Sequence, residues 1–133
     1  MMRVAAGVIL RGREVLVCQR PAHAAHPLKW EFPGGKCEPG ESVAQCLRRE
    51  LQEELHVAAE VGRELWRGRY QYGTRDPFEL CFLLVTRYHG ALSVAQFAAA
   101  RWMPVDSLSG LDWLDADRDF IGRLERGEIN WAD

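Results

Sequence analysis

A chain of 133 residues has the length of one domain with a single sheet-based core and little to spare. Hydrophobic residues make up 47% and charged residues 27%, ordinary for a globular protein, and a formal net charge of −2 gives no electrostatic basis for binding long nucleic acid or an acidic membrane. Cys18, Cys37, Cys46 and Cys81 form no CxxC pair and no zinc spacing with histidine, no signal stretch opens the chain, and the apolar runs are too short to span a bilayer, so a cytoplasmic protein without disulfides is expected.

Residues 4–10 and 14–19 are apolar runs separated by Arg11-Gly12-Arg13, which predicts a β-hairpin. Arg20 leaves the second strand just before an alanine-rich loop, residues 21–28, that carries His23 and His26. A lone arginine after a strand is usually a surface charge, although one aimed at a phosphate cluster can clamp it bidentately. The two histidines read as solvated rather than as ligands.

The short piece Trp30-Glu31-Phe32 runs into Pro33-Gly34-Gly35, where glycines let the backbone turn tightly and approach a ligand. Pro39-Gly40 then turns Glu41 back towards a helix whose start is marked by Ser42 and Gln45, a capping box in which each side chain satisfies the other residue's free N–H. Val43, Leu47, Leu51 and Leu55 recur every fourth residue and form an apolar stripe, while Glu50, Glu53 and Glu54 share one face. Like charges four apart cost roughly 0.2–0.5 kcal/mol on an isolated helix. Either this is a solvated acidic face compensated by Arg48 and Arg49, or the carboxylates hold a hard divalent cation.

Gly35, then five residues, Glu41, then seven residues and the run Arg49-Glu50-Leu51-Gln52-Glu53-Glu54 together resemble the signature box of the Nudix hydrolases, which cleave a nucleoside diphosphate linked to another group. The resemblance implies an α/β fold, a mixed β-sheet sandwiched between helices, spanning residues 1–133 as one domain. It implies Mg2+ or Mn2+ held by the Gly34 carbonyl, Glu50, Glu53 and Glu54. A catalytic set of Arg49, Glu50 and Glu53 follows, with Glu53 the first choice to orient the attacking water and Arg49 positioning the carboxylates together with Glu41. Gly35 and Glu41 are structural residues of the box on this reading. Arg20, Glu31, Phe32, Pro33 and Gly34 become candidates for substrate contact, because nucleotide-sanitising relatives carry an arginine at the place of Arg20. The family has glycine before the closing apolar residue of the box, whereas this chain has His56; histidine tolerates positive φ, so the expected cost is on the order of 1 kcal/mol.

Residues 58–72 and 77–89 flank Gly73-Thr74-Arg75-Asp76 and predict two long antiparallel strands. In the second, Phe78, Leu80, Phe82 and Leu84 alternate with Glu79, Cys81 and Leu83, an apolar face against a mixed one. Tyr70 and Phe78 are the aromatic candidates for stacking on a base, with a core role as the plainer alternative. An alanine-rich connection, residues 91–100, leads to a short strand ended by Pro104. Relatives often place a further glutamate in this connection, where Gln96 stands nearest, and an amide cannot take up a proton. The base is then a box glutamate or another carboxylate such as Glu79, or turnover is slow.

Residues 115–126 carry Phe120, Ile121 and Leu124 at helical spacing, with Gly127 as the stop. Asp117 lies in the first turn, where a carboxylate caps free N–H groups and suits the helix dipole. Through the resemblance to MutT-like enzymes, which present a side chain there to the base edge, Asp117 is also a base-contact candidate. The implied reaction converts a nucleoside triphosphate, oxidised or non-standard ones included, into monophosphate and pyrophosphate. ADP-ribose, dinucleoside polyphosphates and NADH are the alternative substrates, and a nucleotide-binding module with weak turnover the alternative role. The partner is a small nucleotide, and the protein a monomer or homodimer.

Overall fold

A computed structural model describes residues 1–132. The first hairpin joins β1 (Met2–Arg11) to β2 (Glu14–Gln19), but only Leu10 and Arg11 pair with Val15 and Glu14 before the two strands diverge. The gap is bridged by one segment, in which β3 (Trp30–Glu31) pairs with the end of β2 and β4 (Gly34–Lys36) pairs with Val4, Ala5 and Ala6 of β1. Between them the Gly7 N–H donates to the Pro33 carbonyl at 2.7 Å. The glycine loop is thus stitched into the sheet rather than left as surface coil.

Beyond it α1 (Val43–Leu55) begins with the expected reciprocal cap, Ser42 Oγ accepting from the Gln45 N–H and the Gln45 side chain accepting from the Ser42 N–H. His56 ends the helix in the left-handed conformation, φ 61° and ψ 34°. Strands β5 (Ala58–Tyr70) and β6 (Phe78–His89) pair antiparallel, and β6 runs parallel to β1 from Met2 against Phe78 to Ile9 against Val85. Strand β7 (Ala99–Pro104) covers β2, and α2 (Asp115–Glu125) follows.

The sheet separates two cores. Val8, Phe82, Phe32 and Trp113 meet Phe120 and Leu124 of α2 on one face, while Ile9, Leu83 and Val85 meet Leu47, Leu51 and Leu55 of α1 on the other. Strand β6 differs in one respect from its sequence pattern: its second face is not mixed but buried, with Cys81, Leu83 and Val85 all 2% exposed or less. The cause is its central position between β1 and β5, which leaves helices on both faces and asks for an apolar run rather than alternation. Among the described residues no helix is long and apolar enough to cross a membrane.

Candidate active site

At two positions of the loop an added Cβ would collide with its surroundings. A Cβ on Gly34, whose φ is +154°, would lie 1.9 Å from the Ala5 carbonyl oxygen, and one on Gly35 would lie 2.4 Å from the Glu50 carboxylate carbon. The loop and the α1 carboxylates are therefore in direct contact, and the Gly34 N–H donates to Glu54 Oε1 at 3.0 Å.

Arg49 organises the acidic face. Its Nε and one terminal nitrogen donate to both oxygens of Glu41, at 2.8 and 2.9 Å, and the same terminal nitrogen reaches the Lys36 carbonyl at 3.0 Å. The other terminal nitrogen reaches Glu50 at 2.9 Å and Glu53 at 3.4 Å. This fork, with a further N–H from Glu38, holds the Glu41 carboxyl down at about 2. Glu41 and Arg49 form a brace that fixes the helix to the loop, in accord with a positioning role. Glu53, by contrast, is 59% exposed and has Arg49 at the edge of contact.

Deeper in, negative charge is in excess. Burial, the neighbouring Glu31 and Glu50 push the Glu54 carboxyl up to about 8 against the opposing pull of the Gly34 N–H and Arg20. Burial also raises Glu31, although Arg20 donates to it at 3.0 Å. Among the described residues no three carboxylate, thiol or imidazole side chains converge into a closed metal cage, and Arg49 donates to both Glu50 and Glu53. The donor set nonetheless suits a hard divalent cation: clustered carboxylate oxygens and a close-approaching backbone, with more negative charge than Arg20 and Arg49 balance locally.

On the α2 side the loop opens into a cavity of about 390 Å³, lined by Arg20, Glu31, Phe32, Gly34 and Asp117, and also by His26, Lys36, Tyr72, Arg75 and Phe78. The candidate substrate contacts are thereby brought together, with the exception of Pro33, which is buried with its carbonyl taken by Gly7. Arg20 is not a free phosphate clamp: besides Glu31, its Nε donates to the Ala25 carbonyl at 2.7 Å and so shapes the 21–28 loop. The N-cap position of α2 is Leu114, and Asp117, in the first turn, is only 4% exposed, a buried acid rather than a surface cap. Burial first, then the Glu31 charge, raise its carboxyl well above the usual range, opposed by the Phe32 N–H and Arg20.

Phe78 lines the cavity as the sequence suggests, whereas Tyr70 packs behind it and Tyr72 takes the wall. The Tyr70-Gln71-Tyr72 spacing, which sends both rings to one side, was the available signal. His26, read as solvated, lies on Tyr72 with ring centres 4.6 Å apart. Gln96 does stand beside the box, its amide donating to the Glu53 carbonyl at 2.9 Å, while Glu79 is engaged by Arg67 at 3.5 Å and does not line the cavity.

A glycine loop locked onto a carboxylate-bearing helix, within a mixed sheet flanked by helices, is the arrangement of the hydrolase box already recognised. The chain matches the family model described as the NUDIX domain over residues 1–124 and belongs to that family of hydrolases. The CTP pyrophosphohydrolase of Escherichia coli K12 is 38% identical over 102 residues, 77% of this chain and 75% of that protein. The 8-oxo-dGTP diphosphatase of the same organism is 32% identical over 126 residues, 94% and 97% of the two chains. Among solved structures, that of the E. coli ORF135 protein superposes with a TM-score of 0.82 at 34% identity, covering 92% of this chain and 86% of the other.

Proposed function

We propose that this Nudix hydrolase converts a nucleoside triphosphate into the monophosphate and pyrophosphate, with Mg2+ or Mn2+ held by Glu50, Glu53, Glu54 and the Gly34 carbonyl. The observation that carries this reading is the junction at Gly34 and Gly35, where the carboxylate face meets a cavity with aromatic walls and a polar end. A bound divalent ion supplies neutralisation of phosphate charge and a more acidic water at such a site. The chain's own residues do the rest. Glu53, exposed and lightly held, orients the attacking water and accepts its proton. Arg49 and Glu41 keep the carboxylates in register. Arg20 fixes the Glu31 carboxylate beside the cavity.

Asp117 faces the base edge on this reading. Burial and the Glu31 charge raise its carboxyl well above the ordinary range and so favour the protonated form, which both donates and accepts. Relatives named for CTP and for 8-oxo-dGTP put pyrimidine and oxidised purine triphosphates at the head of a substrate panel. A slow enzyme or nucleotide binder is the second reading, favoured by Gln96 at a place where an ionisable side chain would assist turnover.

Pyrophosphate release from ribo- and deoxyribonucleoside triphosphates, with AMP release from ADP-ribose and NADH followed in parallel, separates these readings. Substituting Glu53→Gln or Glu54→Gln is expected to lower kcat by roughly 10²–10⁴ with the fold kept. Turnover surviving both changes would remove these residues from the chemistry. A base profile identical in wild type and Asp117→Asn would remove Asp117 from base recognition.

A further inference from the structure

The 21–28 loop lends His26 to the lining of the cavity, and its conformation is unusual. His26 precedes Pro27, a position normally driven to extended backbone, yet its φ is +50°, and Leu28 follows at +61°. Two left-handed non-glycine residues around one proline are strained, and such strain persists only where surrounding contacts hold it. Here the contacts are visible. The Arg20 side chain holds Ala25 from within, the Leu28 N–H donates to the Arg20 carbonyl at 3.2 Å, and Gln19 Nε2 donates to the Leu28 carbonyl at 3.1 Å.

The result is that an exposed imidazole is laid on Tyr72, whose own position is fixed because its hydroxyl accepts the Ala116 N–H at 3.1 Å, at the start of α2. Tyr72 further stacks nearly parallel to Phe78 across 6.2 Å. The cavity therefore has an aromatic side built from two loops, facing Glu31 and Asp117 at its polar end. Its volume lies in the usual range for small ligands, and a flat aromatic ring with a hydrogen-bonding edge matches both sides.

Resting on the nucleotide reading above, we propose that His26 is a substrate-contact residue: with Tyr72 it forms the stacking wall for the nucleobase, and it sets affinity for the base rather than the rate of the chemical step. Arg20 then links the stacking wall to the polar end, since one guanidinium holds both the His26 loop and Glu31. Stacking is tolerant of base identity, so His26 contributes to all bases while hydrogen bonds at the far end select among them.

The test compares wild type with His26→Ala, His26→Phe and, as a loop control, His23→Ala, by steady-state kinetics on the best triphosphate and by calorimetry with the nucleoside monophosphate and with ribose 5-phosphate. Loss of the stacking partner is expected to raise KM and weaken monophosphate binding roughly three- to tenfold, with kcat within about twofold. His26→Phe restores both, ribose 5-phosphate is bound equally by all variants, and His23→Ala matches wild type. Unchanged KM and monophosphate binding in His26→Ala, in an enzyme that turns over triphosphates, overturns the assignment and leaves the function standing. His26-dependent monophosphate binding without triphosphate turnover supports the assignment and removes the proposed reaction instead.

Discussion

Replacing Gly35 by alanine tests the contact on which the site depends. The added Cβ would fall 2.4 Å from the Glu50 carboxylate carbon and 2.5 and 2.7 Å from its oxygens. Nonbonded carbons rest at about 3.5 Å, so the carboxylate must retreat by roughly 1 Å. It cannot retreat alone: Glu50 is held by Arg49 at 2.9 Å, and Arg49 is forked onto Glu41. A displacement of that size in a catalytic constellation costs about 10²-fold in rate. The fold should suffer less, by about 1 kcal/mol, because the atoms in the way belong to a side-chain end and not to backbone. Pyrophosphate release with magnesium, alongside thermal unfolding, reads both quantities. A variant with kcat/KM within threefold of wild type would refute the claim that this contact places Glu50. The same change at Gly34 should instead abolish folding, because the obstacle there is the Ala5 carbonyl within β1.

The raised Glu54 carboxyl predicts a pH effect on the metal-free protein. Its folded-state value of about 8 exceeds the unfolded value of 4.5, so the folded form binds more protons between the two and stability falls as pH rises through that window. Glu54→Gln should flatten this slope in thermal unfolding scans from pH 5 to 8; an identical slope in both proteins would contradict the burial argument. Phe82, fully buried and stacked on Phe120 at 3.9 Å, should cost about 3–5 kcal/mol when cut to alanine, read from the urea midpoint, with a loss below 1 kcal/mol as the contrary result. His56→Gly should gain about 0.5–1 kcal/mol by removing the left-handed penalty at φ 61°, and a lower melting temperature would show that the imidazole contributes more than the strain costs.

Local rules carried the sequence reading far, and their reach marks where it stops. The capping box, the β1–β2 turn and the left-handed His56 each depend on residues within a few positions of one another, and each was legible. The site carboxylates were legible as a set, because three like charges on one helical face violate a local preference that only a distant partner can justify. What stayed hidden depends on sequence separations that no periodicity encodes. Asp117 looks like a helix cap within its own turn and becomes a buried acid only because Glu31 and Phe32, more than eighty residues earlier, are brought against it by the strand that bridges β1 and β2. Arg20 looks like a phosphate clamp until Glu31 and Ala25 occupy it, and His26, exposed as the sequence implies, gains its ring contact only from Tyr72 just beyond β5. The division is chemical as well as topological. The box carboxylates sit on one helix and are fixed by its pitch, while the cavity residues come from four separate segments and are fixed by sheet pairing. A sequence pattern therefore announces the reaction of such an enzyme more readily than its substrate.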